Sequence, residues 1–136
     1  MMSREVLKEI TLKQDEIIQS LFDIAPPHWV EIILNFEVAD NGHVSDWLLF
    51  AVCKDGENYR EESMTLDFED DDLLTDLWNL YSQLNDSWTT LDLRLLSNGV
   101  FNFNFSYDEP YRLSNELLED PRFENYHINY QEKDSL

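Results

Sequence analysis

Three histidines, one cysteine and 29 carboxylates are the side chains in this 136-residue chain that could do chemistry. His28, His43 and His127 stand far apart and match no metal-ligand spacing, so each reads as a surface histidine. Cys53 closes an apolar run that begins at Trp47, which makes it a buried, inert thiol; alone, it can form no intramolecular disulfide and no cysteine metal site. No serine sits in a Gly-x-Ser-x-Gly elbow, and three glycines in apparent turns cannot build a phosphate loop. Asp67, Glu69 and Asp71 begin like a calcium loop, but Asp72 stands where the loop needs Gly and Trp78 where it needs Glu. The carboxylates therefore read as charge rather than as catalysts: no enzyme, no cofactor and no metal are expected.

That charge is large. Nine Lys and Arg against 29 Asp and Glu give a net charge of −20. No Lys or Arg lies between Arg60 and Arg94. Capping a helix uses one or two aspartates, so the acids in this window exceed the structural need and repel one another. Glu61, Glu62, Asp67, Glu69, Asp70, Asp71, Asp72 and Asp76 are the candidate binding residues, and a cationic protein is the partner that would relieve their repulsion. The same field repels nucleic acid and anionic lipid. The competing reading is a solvated surface whose charge serves only solubility.

The elements that must position these acids follow from periodicity. Residues 3–24 read as an amphipathic helix with Val6, Ile10, Ile17 and Leu21 on its apolar stripe, stopped by Pro26-Pro27. From Trp29 the period becomes two: Val30, Ile32, Leu34, Phe36 and Val38 face one side, and Glu31, Asn35 and Glu37, with Ile33 among them, face the other. This is the pattern of a half-buried strand. After Asn41-Gly42, a strand over 44–53 is apolar on both faces, as a central strand would be. Asp55-Gly56 leads to a polar third strand over 58–66, suited to a sheet edge. The Asp70-Asp71-Asp72 run opens a second helix, with Leu73, Leu74, Leu77, Trp78, Tyr81 and Leu84 as its stripe and Phe68 as a hydrophobic staple. A hairpin from Trp88 follows, turning at Asn98-Gly99, with Leu91, Leu93 and Leu95 on one arm and Phe101, Phe103, Phe105 and Tyr107 on the other. That aromatic series reads as a packed sheet face, because a base-stacking platform needs a basic surface. Leu113 to Glu119 reads as a short helix broken at Pro121, Phe123, Tyr126 and Tyr130 as docking residues, and residues 131–136 as a frayed tail. The sum is one α+β domain over 1–136: an antiparallel sheet with helices packed on it, order α-β-β-β-α-β-β-(α).

Two stretches resemble the YezG-like immunity proteins, antitoxins encoded beside bacterial polymorphic toxins, several of which are nucleases. The first is Pro27-His28-Trp29-Val30-Glu31-Ile32-Ile33-Leu34, followed by Phe36-Glu37-Val38, a turn and a strand containing Trp47. The second runs from Trp88 through Leu91, Leu93 and Leu95 to Gly99, Phe101, Phe103, Phe105 and Tyr107-Asp108. An acidic, Leu- and Trp-rich helix separates them, as in the family. The resemblance covers about residues 5–108, and Glu116 to Leu136 depart from it. It implies an acidic immunity domain that neutralises a cognate cationic nuclease toxin in the producer's cytoplasm, as a monomer or weak homodimer, with no membrane or nucleic-acid partner. It carries over no binding residue, since Trp29, Trp88, Phe103 and Tyr107 read as core. Charge alone is screened within about 8 Å at physiological salt. An apolar or aromatic anchor is therefore expected inside the acidic rim, with Tyr111 and Trp78 as candidates and Trp78 also read as core. Class I chaperones of type III secretion are similarly small and acidic, with a similar element order, so holding an effector segment is the alternative. An acidic adaptor or nucleic-acid mimic of another target is a third reading.

Overall fold

The chain alternates between 3.6-residue and two-residue hydrophobic periods, and its elements follow that alternation. The computed structural model describes residues 2–136, apart from the side chains of Met2, Ser3 and Phe68; the staple expected at Phe68 thus lies outside the described residues. The elements are α1 (Met2–Ile24), β1 (Trp29–Ala39), β2 (Val44–Asp55), β3 (Asn58–Ser63), α2 (Phe68–Ser82), β4 (Thr90–Leu96), β5 (Phe101–Ser106) and a single-turn α3 (Tyr111–Ser114). The five strands form one antiparallel sheet in the order β3-β2-β1-β4-β5. The expected α+β class and element order are those observed.

Helices α1 and α2 pack side by side on one face of the sheet. Val6, Ile10, Ile17 and Leu21 of α1 and Leu74, Leu77 and Leu80 of α2 are buried there. They lie against Ile32, Leu34 and Phe36 of β1 and Leu91, Leu93 and Leu95 of β4. The helix starts earlier than the Asp70-Asp71-Asp72 run expected to open it: Asp67 caps α2 by accepting a hydrogen bond from the Asp70 backbone N–H at 2.8 Å, which satisfies one of the free donors at the helix start and leaves Phe68 inside the first turn. Trp88 is buried edge-on to Phe36, 6.1 Å between ring centroids.

The second face is where the sequence expectation fails. The strand read as half-buried is the middle strand of the sheet, and both its sides are closed: Glu31, Asn35 and Glu37 are as buried as the leucines opposite. The cover is the C-terminal segment 109–136, which crosses this face as α3, a 3-10 turn at Pro121–Phe123 and further turns. Ile33, Phe50 and Val52 pack under Phe123, Tyr126 and Tyr130, so the docking expected of these aromatics is observed. A register shift between Trp29 and Glu31 moves Val30 to this face and gives the helix face to Trp29, whose ring meets Phe22 at 5.3 Å. The expected helix over 113–119 is replaced by α3. The tail expected to fray has no regular structure, yet Glu132 accepts hydrogen bonds from Tyr59 Oη at 2.7 Å and Lys54 at 3.2 Å, and Lys133 pairs with Glu31 at 2.7 Å.

At the β5 edge the aromatic series is only partly packed. Phe103 and Phe105 lie against the core, Phe101 is exposed, and Tyr107 is 62% exposed with its hydroxyl donating to Asp86. Tyr107 is thus no core residue: it follows Ser106, the last paired residue of an edge strand.

Candidate functional site

Positions 61 to 76 run from the β3 edge into the first turns of α2, and the two elements treat their acids differently. Successive strand residues face opposite sides. Glu61 accordingly points to the C-terminal segment, where it accepts hydrogen bonds from the backbone N–H and ring Nδ1 of His127. Glu62 points the other way, pairs with Arg60 at 2.8 Å, and accepts a long contact from Cys53 Sγ at 3.9 Å. Cys53 is buried as expected, and burial raises its thiol pKa. The eight candidate residues therefore do not form one patch. Glu61 belongs to the second face, and His127, expected free at the surface, is held by it.

The other six candidates lie at or just before α2. Glu69, Asp72 and Asp76, three and four residues apart, are exposed along one ridge of the helix. Asp67 is committed to the cap. Asp70 is half-buried, and Asp71 is half-buried with Oδ1 shielded and without a hydrogen-bond partner among the described residues. Burial, with the Asp72 charge adding to it, raises the Asp71 carboxyl above its ordinary value. Lys13 of α1 approaches Asp76 at 3.8 Å and Glu16 at 3.6 Å. Neither aromatic candidate is a free anchor beside these acids. Trp78 donates its ring N–H to the Trp88 carbonyl at 2.8 Å, and Tyr111 is stacked under the Arg122 guanidinium at 4.1 Å.

The strongest electrostatic construction is on the opposite face, and the sequence reading did not anticipate it. Arg112 is 1% exposed and sits over the end of β1. Its Nη2 donates to the Asn35 carbonyl at 2.9 Å and to Asn35 Oδ1 at 2.8 Å, its Nη1 donates to Asp46, and its Nε lies 3.4 Å from Glu37. Glu37 in turn accepts the backbone N–H groups of Arg112 at 2.8 Å and Leu113 at 3.0 Å, closing the first turn of α3. Arg122 grips Asp120 with two nitrogens, at 2.9 and 2.6 Å. Burial would raise the Asp120 carboxyl pKa; the Arg122 hydrogen bonds and the Arg112 charge outweigh it and hold it below the ordinary value. A second anchor joins Glu31 to Tyr130 Oη and Lys133, each at 2.7 Å. The available signal was three acceptors (Glu31, Asn35, Glu37) on one side of an otherwise apolar strand, with Arg112, Arg122 and Lys133 late in the chain.

Chemically, these arrangements bind cations and order a backbone. Among the described residues, no group of three or more His, Cys, Asp or Glu could hold a metal ion. No described helix is long and apolar enough to cross a membrane. No protein-family model matches the chain, and no curated protein is significantly similar to it.

Proposed function

We propose that this chain is an immunity protein that neutralises a cognate toxin, a cationic nuclease domain, by tight protein–protein binding in the cytoplasm of the producing cell. One observation carries the reading. Lys13, Lys54, Arg60, Arg94, Arg112, Arg122 and Lys133 are each paired with an acid of the same chain, while Glu69 and Asp72 stand exposed in a window that contains no Lys or Arg. A nuclease site is cationic because it holds phosphate, and an acidic surface can occupy or shield it. The resemblance of residues 5–108 to YezG-like immunity proteins points to the same role. The element order also suits a class I secretion chaperone holding an effector segment; a stable dimer eluting with an unfolded segment would favour that reading.

The test is a tagged pull-down from the native host at low and high salt, with mass spectrometry of the eluate. Recovery of one basic domain whose nuclease activity disappears in the complex is the expected result. An empty eluate at both salts leaves the acidic surface as a solubility device. With the toxin in hand, the triple change Glu69→Lys, Asp72→Lys and Asp76→Lys should slow association about tenfold at low salt and flatten its salt dependence. An unchanged rate would assign binding to another face.

A further inference from the structure

The face opposite the α2 acids also sets carboxylates beside apolar side chains. A groove of about 820 Å³ opens there between β2, β3 and the C-terminal segment. Its floor is apolar: Leu48 and Phe50 from β2, with Leu117 and Phe123 from the segment. Its rim is acidic: Glu116, Glu119 and Glu124 are exposed, Glu61 borders it, and among the described residues no Lys or Arg lines it. Leu118 stands on the rim 97% exposed.

Exposure of one leucine means little by itself. What gives it meaning here is its place beside the groove, on a loop whose two ends are tied to the sheet. The loop 113–119 is pinned at both ends by buried charges. Arg112 and Asp120 both reach the Glu37 network on β1, with Arg112 Nε 3.7 Å from Asp120, and the Leu117 backbone N–H donates to the Arg112 carbonyl at 2.9 Å. A loop tied at both ends has less backbone freedom to lose when a partner docks on it. The smaller groove between α1 and α2, about 370 Å³, also sets acids (Glu9, Glu16, Asp76) beside Leu12 and Leu80, but Lys13 lies in it and already pairs with Glu16 and Asp76.

We infer that the groove bounded by loop 113–119 and β3 docks a cationic segment of a partner protein. An apolar residue of that segment lies beside Leu118 on the Phe50 and Phe123 floor, and its lysines or arginines meet Glu116, Glu119 and Glu124. The inference rests on the immunity reading only for the partner's identity, which would be the toxin.

The probe is a synthetic peptide alternating Lys and Leu, compared with a peptide of equal length and charge in which Ser replaces Leu. Both are titrated into the full chain, with backbone amide shifts as the readout. The expected result is that the Leu peptide moves the amides of Leu117 to Asp120 and of Phe50, and binds about tenfold or more tighter than the Ser peptide. Leu118→Asn, a neutral change at an exposed position that leaves the core and the rim charge untouched, should reduce the advantage of the Leu peptide over the Ser peptide severalfold. Equal binding of the two peptides, shifts confined to Asp67–Asp76, or no binding would overturn the inference whether or not a toxin has been captured. A captured toxin whose affinity is unchanged by Leu118→Asn would overturn it as well. Failure to capture a toxin, with the peptide result intact, would overturn the immunity reading and leave the groove standing.

Discussion

A guanidinium and a carboxylate that have both left water hold each other in place, because neither can be hydrated where it is. Arg112 and Glu37 are such a pair. Removing one partner from a buried pair costs about 3–5 kcal/mol, since the other charge remains buried, whereas an exposed pair contributes about 1 kcal/mol or less. Arg112→Met should therefore lower the unfolding free energy by about 3–5 kcal/mol in urea titrations. Lys54→Met, which breaks the exposed contact with Glu132, should change it by less than about 1 kcal/mol. A comparable loss in both variants would contradict the burial argument. Asp120 gives this network its pH dependence. Its folded carboxyl is held below the ordinary value, so the stabilisation it provides is complete above its unfolded pKa of about 4 and is lost as pH falls through the lower folded value. Urea titrations between about pH 6 and pH 2 should show Asp120→Asn less stable than the native chain at the upper end, with the gap closing toward the lower end. A gap that widens on acidification would have the wrong sign.

At the scale of elements, the α2 acids depend on how the β1–β2 turn receives that helix. Gly42 lies in this turn with φ +91°, and a Cβ added there would meet Trp78 Cζ3 at 2.7 Å. Trp78 cannot simply swing away, because its ring N–H is committed to the Trp88 carbonyl. Gly42→Ala therefore combines backbone strain with overpacking and should cost about 2–4 kcal/mol by thermal or urea unfolding. Gly56 has φ +64° but open space around it, so Gly56→Ala should cost about 1–2 kcal/mol, the strain alone. Equal costs would mean that Trp78 is not a fixed wall. The C-terminal segment is the second element that matters. Four residues of helix and one 3-10 turn could not hold it down unaided. Its ion pairs, and the rings of Phe123, Tyr126 and Tyr130 on Ile33, Phe50 and Val52, attach it to the sheet.

For the whole molecule, the net charge of −20 is spread over a surface whose cations are largely engaged in pairs. Like charges separated by more than a contact distance still repel at low ionic strength, where the screening length is about 30 Å at 0.01 M, against about 8 Å at 0.15 M. Raising sodium chloride over that range should raise the melting temperature by a few degrees, because relief of repulsion among exposed acids outweighs weakening of the exposed pairs, while the buried Arg112 network is little screened. Calorimetry at several salt concentrations checks the sign. A falling melting temperature would mean that the ion pairs, not the repulsion, dominate the electrostatics. The same surface offers a partner two approaches on opposite sides of the sheet: the α2 ridge, where Lys13 already pairs with Asp76, and the larger groove beside Leu118, whose described lining holds no Lys or Arg.

Much of this architecture was legible in the amino-acid order, because hydrophobic period and turn residues are local. The α1 stripe, the alternation of β4, and the turns at Asn41-Gly42, Asp55-Gly56 and Asn98-Gly99 all depend on residues within a few positions of one another. Glu61 and Glu62 could also have been separated from sequence, since neighbours in a strand face opposite ways. Only the tertiary structure decided what becomes of the polar side of β1. Alternation says which residues share a side; it does not say whether another part of the chain will cover them. The cover comes from Arg112, Arg122, Tyr130 and Lys133, and the bonds of Arg112 to Asn35 and of Lys133 to Glu31 span 77 and 102 residues. No local pattern announces contacts of that separation. Sequence thus determined that the molecule is an acidic, two-period α+β chain. Folding decided that its middle strand is closed on both sides, and that closing it raises Leu118 beside an acid-rimmed groove.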